Sequence, residues 1–166
     1  RVFESWTFPS FTAGAEGLRQ VAQHDSGPTV IRLSDEAETA VSLAQLGKIG
    51  KALSKGASVV TVYEGAGARA SEEIAQRRAR TSELLRAAGG ASSGEGNAAD
   101  WMEGRFDGPY LRDSLLDAGV FCETLETATT WANLSALRGA VEAALKGGFS
   151  EIGSKSYVMC HISHIY

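Results

Sequence analysis

The chain has 166 residues, 43% of them hydrophobic and 22% charged, with a formal net charge of -4. That length and apolar content suit one compact domain, and the acidic balance excludes the broad basic surface a nucleic-acid binder needs. No apolar run approaches the roughly 20 residues that span a bilayer, and the start Arg1-Val2-Phe3-Glu4 lacks the apolar core of a signal peptide.

Val2 to Phe8 is rich in aromatic residues and is stopped by Pro9, so it is expected to form a strand. From Ser10, the helical spacing of Phe11, Ala15, Leu18, Val21 and Ala22 predicts an amphipathic helix closed by Gly27-Pro28. Thr29 to Leu33 is short and β-branched, a second strand that delivers Arg32 to a strand-helix corner. There Asp35 and Glu38 stand at capping-box spacing. Gly47 to Gly56 reads as an exposed loop, Ser58 to Tyr63 as a third strand, and Ser71 to about Ala88 as a helix whose acidic start and basic end suit its dipole. The Gly/Ser/Ala-rich stretch 89–97 is expected to be a flexible loop. A short helix is expected near Pro109. Gly119 to Thr130, with alternating polar and apolar residues, reads as a strand. Trp131 to Leu145 reads as a helix ended by Gly147-Gly148, and a last strand is expected from about Lys155 to Tyr166. This order permits a parallel doubly wound sheet or an antiparallel one; the mixed polarity of the strands favours α+β, with a mainly antiparallel sheet flanked by helices.

Few residues suggest chemistry by spacing. Gly65-Ala66-Gly67-Ala68-Arg69-Ala70 fits a dinucleotide-binding pattern, but the acidic residue expected about 20 positions on falls in a helix. A Gly-rich turn before a helix is the plainer reading. In Cys160-His161-Ile162-Ser163-His164, an extended backbone puts His161 and His164 on opposite faces, so they cannot chelate one metal together. His164 shares a face with Tyr166 and is the histidine placed as a pocket proton carrier. Arg32 and Arg112 sit in apolar frames, and a guanidinium there needs an anionic partner: Asp35 or Asp113 internally, or a substrate carboxylate or phosphate. Cys122 and Cys160 form no disulfide framework, which fits a reducing compartment, and a cytoplasmic protein is expected. The run ending at Tyr166, and the missing initial Met, lead us to expect a piece of a longer protein.

Five strings occur in register: Phe8-Pro9-Ser10-Phe11, Ile31-Arg32-Leu33-Ser34-Asp35, Gly104 to Asp113 (GRFDGPYLRD), Glu123 to Trp131 (ETLETATTW), and Cys160 to Tyr166 (CHISHIY). Together they resemble the substrate, or cap, domain of the FAD-linked oxidases of the vanillyl-alcohol oxidase superfamily, in the branch similar to alkyldihydroxyacetonephosphate synthase. The resemblance covers nearly the whole chain and implies a ferredoxin-like α+β cap. The parent would be an FAD enzyme whose preceding domain holds the flavin and whose own carboxy-terminal end is also absent here. It would make ether-lipid precursors or, alternatively, oxidise a 2-hydroxy acid of the D-lactate or glycolate type. A stand-alone binding module is the third possibility. By resemblance Arg112 contacts the substrate head group and Arg32 lies near the same pocket or near the cap's contact with the flavin domain; His164, from its place in the last strand, is the third candidate. The implied partners are the FAD domain of the same parent chain, an anionic or lipid-phosphate substrate and, if apolar surface is bared, a second copy.

Overall fold

The structure, a computed structural model, describes residues 1–24, 27–43 and 56–165. Its centre is a five-stranded antiparallel sheet of β1 (Val2–Phe8), β2 (Val30–Ser34), β3 (Ala57–Tyr63), β4 (Ala91–Gly94) and β5 (His161–Ile162), in the order β4-β1-β3-β2-β5. Helix α1 (Phe11–Gln23) links β1 to β2, and α3 (Ala70–Ala87) links β3 to β4. The first four strands and these two helices make a split βαβ of ferredoxin-like order, with β5 added beside β2. The antiparallel alternative is therefore the observed one.

Sequence sets the local pieces. Ser10 is extended and its Oγ accepts the Ala13 N–H at 3.2 Å, so α1 starts where a capping serine meets the first apolar residue of its stripe. That stripe, Phe11, Ala15, Leu18 and Val21, lies against the sheet and α3. The register pairs Trp6 with Val59 and Val59 with Leu33, so these three side chains stand together on the face that α1 and α3 cover. All three are fully buried, and large apolar side chains so buried contribute about 1.5–3 kcal/mol each. Glu4 shares this face, taking a 2.9 Å hydrogen bond from Arg78 of α3. Burial pushes the neighbouring Tyr63 hydroxyl up to about 12, so it stays protonated and can donate to Glu4 at 3.5 Å.

The opposite face is wetter, as the alternation of the strands suggests. Ser5, Ser34, Ser58 and Arg32 point there. Helix α4 (Gly96–Gly104) packs on its β1–β3 side, where the Ala98 N–H donates to Ser5 Oγ at 2.8 Å.

Four expectations need correction. Residues 91–94 are an edge strand instead of a flexible loop, because Gly90 lets the backbone pass under Phe8: a Cβ there would come within 2.6 Å of the ring. Residues 120–130 form no strand, and Phe121 and Leu125 stand exposed. Alternation supplies an apolar face, but a strand exists only where a neighbour completes its ladder. Helix α6 (Leu134–Glu151), entered by a 3-10 turn at Trp131–Asn133, runs through Gly147-Gly148, since Phe149 rejoins its half-buried stripe. The last strand shrinks to His161–Ile162. Helix α2 (Glu36–Leu43) and α5 (Gly108–Asp117) begin where expected. The loop expected at 47–56 falls, apart from Gly56, outside the described residues, as does Tyr166.

Gly56 is buried where a Cβ would lie 2.1 Å from the Phe8 carbonyl oxygen, a backbone atom that cannot step aside. Gly56→Ala is expected to cost about 1–3 kcal/mol in urea unfolding, whereas Gly27→Ala, with open space around it, leaves the midpoint unchanged.

Candidate functional site

The site is built at the corner where β2 turns into α2. Asp35 caps α2: its Oδ1 accepts the Glu38 N–H at 2.8 Å. Its Oδ2 accepts from the Cys160 N–H at 2.9 Å and from Arg138 Nη2 at 3.0 Å, and its own N–H donates to the Cys160 carbonyl at 2.9 Å. Next to it, Glu36 accepts the Phe11 N–H at 2.7 Å, and the Arg138 guanidinium lies 4.6 Å over the Phe11 ring. Two adjacent acidic residues thus bring α1, α6 and the carboxy-terminal segment to one corner. Burial works against the Arg138 charge, yet the hydrogen bond to Asp35 and the negative charges of Asp35 and Glu36 together outweigh that and raise its pKa. Burial pushes the Cys160 thiol up, which leaves it a poor nucleophile at neutral pH.

On the wetter face, Arg32 Nη2 lies 2.6 Å from Glu38 Oε1, and His161 Nδ1 lies 3.2 Å from the same oxygen. Burial alone would push the Glu38 carboxyl up; the His161 hydrogen bond and the Arg32 charge overcome this and hold it below its ordinary value. The internal partner of Arg32 is therefore Glu38, not Asp35: Asp35 is already committed to Arg138, while the first turn of α2 swings Glu38 over the strand.

The other candidates lie elsewhere. Arg112 is on α5, a helix with no buried residue, and among the described residues its guanidinium bonds only its neighbour Asp113, at 2.9 and 3.1 Å. Its frame is apolar in sequence yet open in space, for Tyr110 is 75% and Leu111 58% exposed. Exposed pairs of this kind contribute little. His164 is exposed, with Nδ1 3.1 Å from Ser163 Oγ. Among the described residues no hydrogen bond or ion pair joins Arg112 or His164 to Arg32. His161, the histidine not chosen from the sequence, is the one beside Arg32. The register Ser34↔His161 puts it there, and no spacing along the chain reveals a pairing between residues so far apart.

The Gly65 to Ala70 turn is not a pyrophosphate cradle. Gly67 has φ +88, which the turn requires. A Cβ on Gly65 would meet Ala70 Cβ at 3.1 Å and Ile74 Cδ1 at 3.3 Å, so the helix itself fills the space a phosphate would need.

Asp35→Ala leaves Arg138 and the Cys160 N–H without their acceptor, and is expected to cost about 3–5 kcal/mol in urea unfolding, with Asp35→Asn costing less because it keeps a capping oxygen. Because folding lowers the Glu38 pKa, the stability it contributes is complete above its ordinary value of 4.5 and is lost as the pH falls below that. Glu38→Gln should flatten this acid limb in urea midpoints measured between pH 3 and 6.

Residues 1–166 match the family model for FAD linked oxidases, C-terminal domain. An alkyldihydroxyacetonephosphate synthase of Dictyostelium discoideum is 25% identical over 179 residues, and one of Trypanosoma brucei brucei 26% identical over 186. Each alignment takes in 99% of this chain and 29% of the relative, so the chain spans under a third of their length. Two solved structures of alkyldihydroxyacetonephosphate synthase, in P1 and P212121, superpose with a TM-score of 0.84 at 26% and 25% identity, over 99% of this chain and 33% of theirs. With a five-stranded antiparallel sheet, helices laid on its faces and a match along its whole length, the chain belongs to the family of C-terminal domains of FAD-linked oxidases.

Proposed function

We propose that this chain is the substrate domain of a longer FAD enzyme of the alkyldihydroxyacetonephosphate synthase type, which exchanges an acyl for an alkyl group in making ether-lipid precursors. The observation that carries the reading is the correspondence of 99% of the chain, in sequence and in fold, with synthases of that name. Bound flavin supplies the redox-active ring; the part of the parent outside this chain holds it, in keeping with the filled Gly65 turn. By itself the chain is inactive.

Arg112, Arg32 and His164 are the residues of this chain proposed to meet the anionic head group. Arg112 has a flexible stem, and its bond to Asp113 is exposed and weak, so the fork can turn to a phosphate once α5 is covered. A cover is supported by the apolar surface around it: Phe106, Tyr110, Leu116 and Phe121 are each at least 60% exposed, more than a domain ordinarily leaves to water in one region. The FAD domain of the same parent is the proposed cover, and a second copy the alternative for the isolated chain. The unpaired thiols of Cys122 and Cys160 support a reducing compartment such as the cytoplasm.

The test is the visible spectrum of the intact parent. A flavin band that responds to a long-chain acyl dihydroxyacetone phosphate and not to D-lactate supports the synthase reading, and bleaching by D-lactate or glycolate assigns the parent to the dehydrogenases. A parent without flavin after reconstitution refutes both. In the responsive enzyme, Arg112→Met removes a charge-assisted contact and is expected to raise KM for the phosphorylated substrate by about 10- to 100-fold, as steady-state kinetics will read.

A further inference from the structure

Two basic side chains share one oxygen in this molecule. Arg32 and His161 reach Glu38 Oε1 from different strands, and the Arg32 and Glu38 side chains are only 18% and 16% exposed. We propose that Glu38 is a positioning residue that joins Arg32 and His161 into one anion-binding fork on the wetter face of the sheet, and that protonation of His161 switches the fork on. This rests on the reading of the parent as an enzyme with an anionic substrate and specifies which residues of this chain take the charge.

The geometry supports the fork in three ways. Arg32 gives Glu38 one of its five N–H donors, and among the described residues none of the others is buried without a partner, so they open to solvent and to a ligand. With Nδ1 turned to Glu38, the imidazole is held in one orientation and its Nε2 is directed away from the carboxylate, where it donates once the ring is charged. Glu38 Oε2 is buried without a hydrogen-bond partner, so the carboxylate is held through Arg32, His161 and the neighbouring Ser34 hydroxyl.

The charges decide when the fork works. Glu38 cancels Arg32 while His161 is neutral, and a net positive charge remains only when His161 is protonated. Among the described residues, the neighbouring groups of the corner are already committed. From the corner, Asp35 is bound to Arg138 of α6 and to the Cys160 backbone; the Cys160 thiol is uncharged; His164, farther along the same segment, turns to Ser163. A phosphate or carboxylate on Arg32 and His161 thus stabilises the protonated ring and is in turn bound more tightly as the pH falls through the range of histidine titration.

The experiment is a histidine proton–carbon NMR titration of the full chain with inorganic phosphate and, separately, with D-lactate, at constant ionic strength. His161→Gln assigns the signal among the three histidines, and circular dichroism confirms that each variant folds. Expected is an upward displacement of the His161 titration by about half a pH unit or more on saturation with one of the two anions. His24 and His164 should not move. Arg32→Met, or Arg32→Gln if that variant does not fold, should abolish the displacement. Glu38→Gln should diminish the displacement, because it removes the charged oxygen that holds the two side chains together. A His161 titration that neither anion moves, or one that moves equally without Arg32, overturns the fork and leaves a purely structural ion pair. Phosphate and lactate separate this from the identity of the parent. A response to lactate alone keeps the fork while favouring the dehydrogenase, and failure of the fork leaves the flavin spectrum of the parent to decide the enzyme class.

Discussion

The Asp35 carboxylate, withdrawn almost wholly from solvent, is surrounded by donors from three separate parts of the chain: the first turn of α2, Arg138 of α6 and the backbone at Cys160. A buried carboxylate is tolerated only when its lone pairs are filled, so this one residue obliges the carboxy-terminal segment and α6 to return to the β2–α2 corner. Without that demand β5 would have little to hold it. Its ladder with β2 is two residue pairs long, and its apolar contribution is limited to the half-buried Cys160, Ile162 and Ile165. The position of His161 is a consequence, since the residue after Cys160 is pinned beside Ser34 on the same face as Arg32.

The sheet separates two tasks. One face, with Trp6, Phe8, Leu33 and Val59 under α1 and α3, supplies the burial that keeps the fold together. The other carries Arg32, His161 and a scatter of hydroxyls beside the buried Val60 and Val62, and among the described residues α4 packs against β1 and β3 there while α2 reaches β2 and β3. The Arg32, Glu38 and His161 group is thereby kept off the packed face, which holds a Glu4–Arg78 pair of its own. Helix α5 and residues 118–130 extend from this core with apolar side chains facing water, an arrangement that suits a domain completed by more protein.

Much of the fold was legible along the chain. The aromatic run before Pro9, the capped stripe of α1 and the β-branched β2 and β3 all name their own structure, because strand and helix periods are written by neighbours a few residues apart. Composition misled at two places. Residues 91–94 look like a linker but pair with β1, since the close passage permitted by Gly90 and the free edge of β1 outweigh a weak local preference. Residues 120–130 look like a strand and have no partner to pair with. The ordered strings pointed to the family correctly, and with it to the α+β class. They did not say which side chains touch.

What the sequence by itself determined is the first three strands with α1 and α3, the capping role of Asp35 and the presence of arginines in apolar stretches of chain. Those properties depend on residues within a turn or a strand of each other. Only the tertiary structure decided that Arg32 pairs with Glu38, that Asp35 belongs to Arg138 across 103 positions of chain, that Arg112 stands open on α5, and that His161 is joined to Arg32 through Glu38. The physical reason is that hydrogen bonds and ion pairs select partners by distance and desolvation in the folded molecule. The register of a two-residue strand, fixed by one buried carboxylate, carries no trace in local spacing.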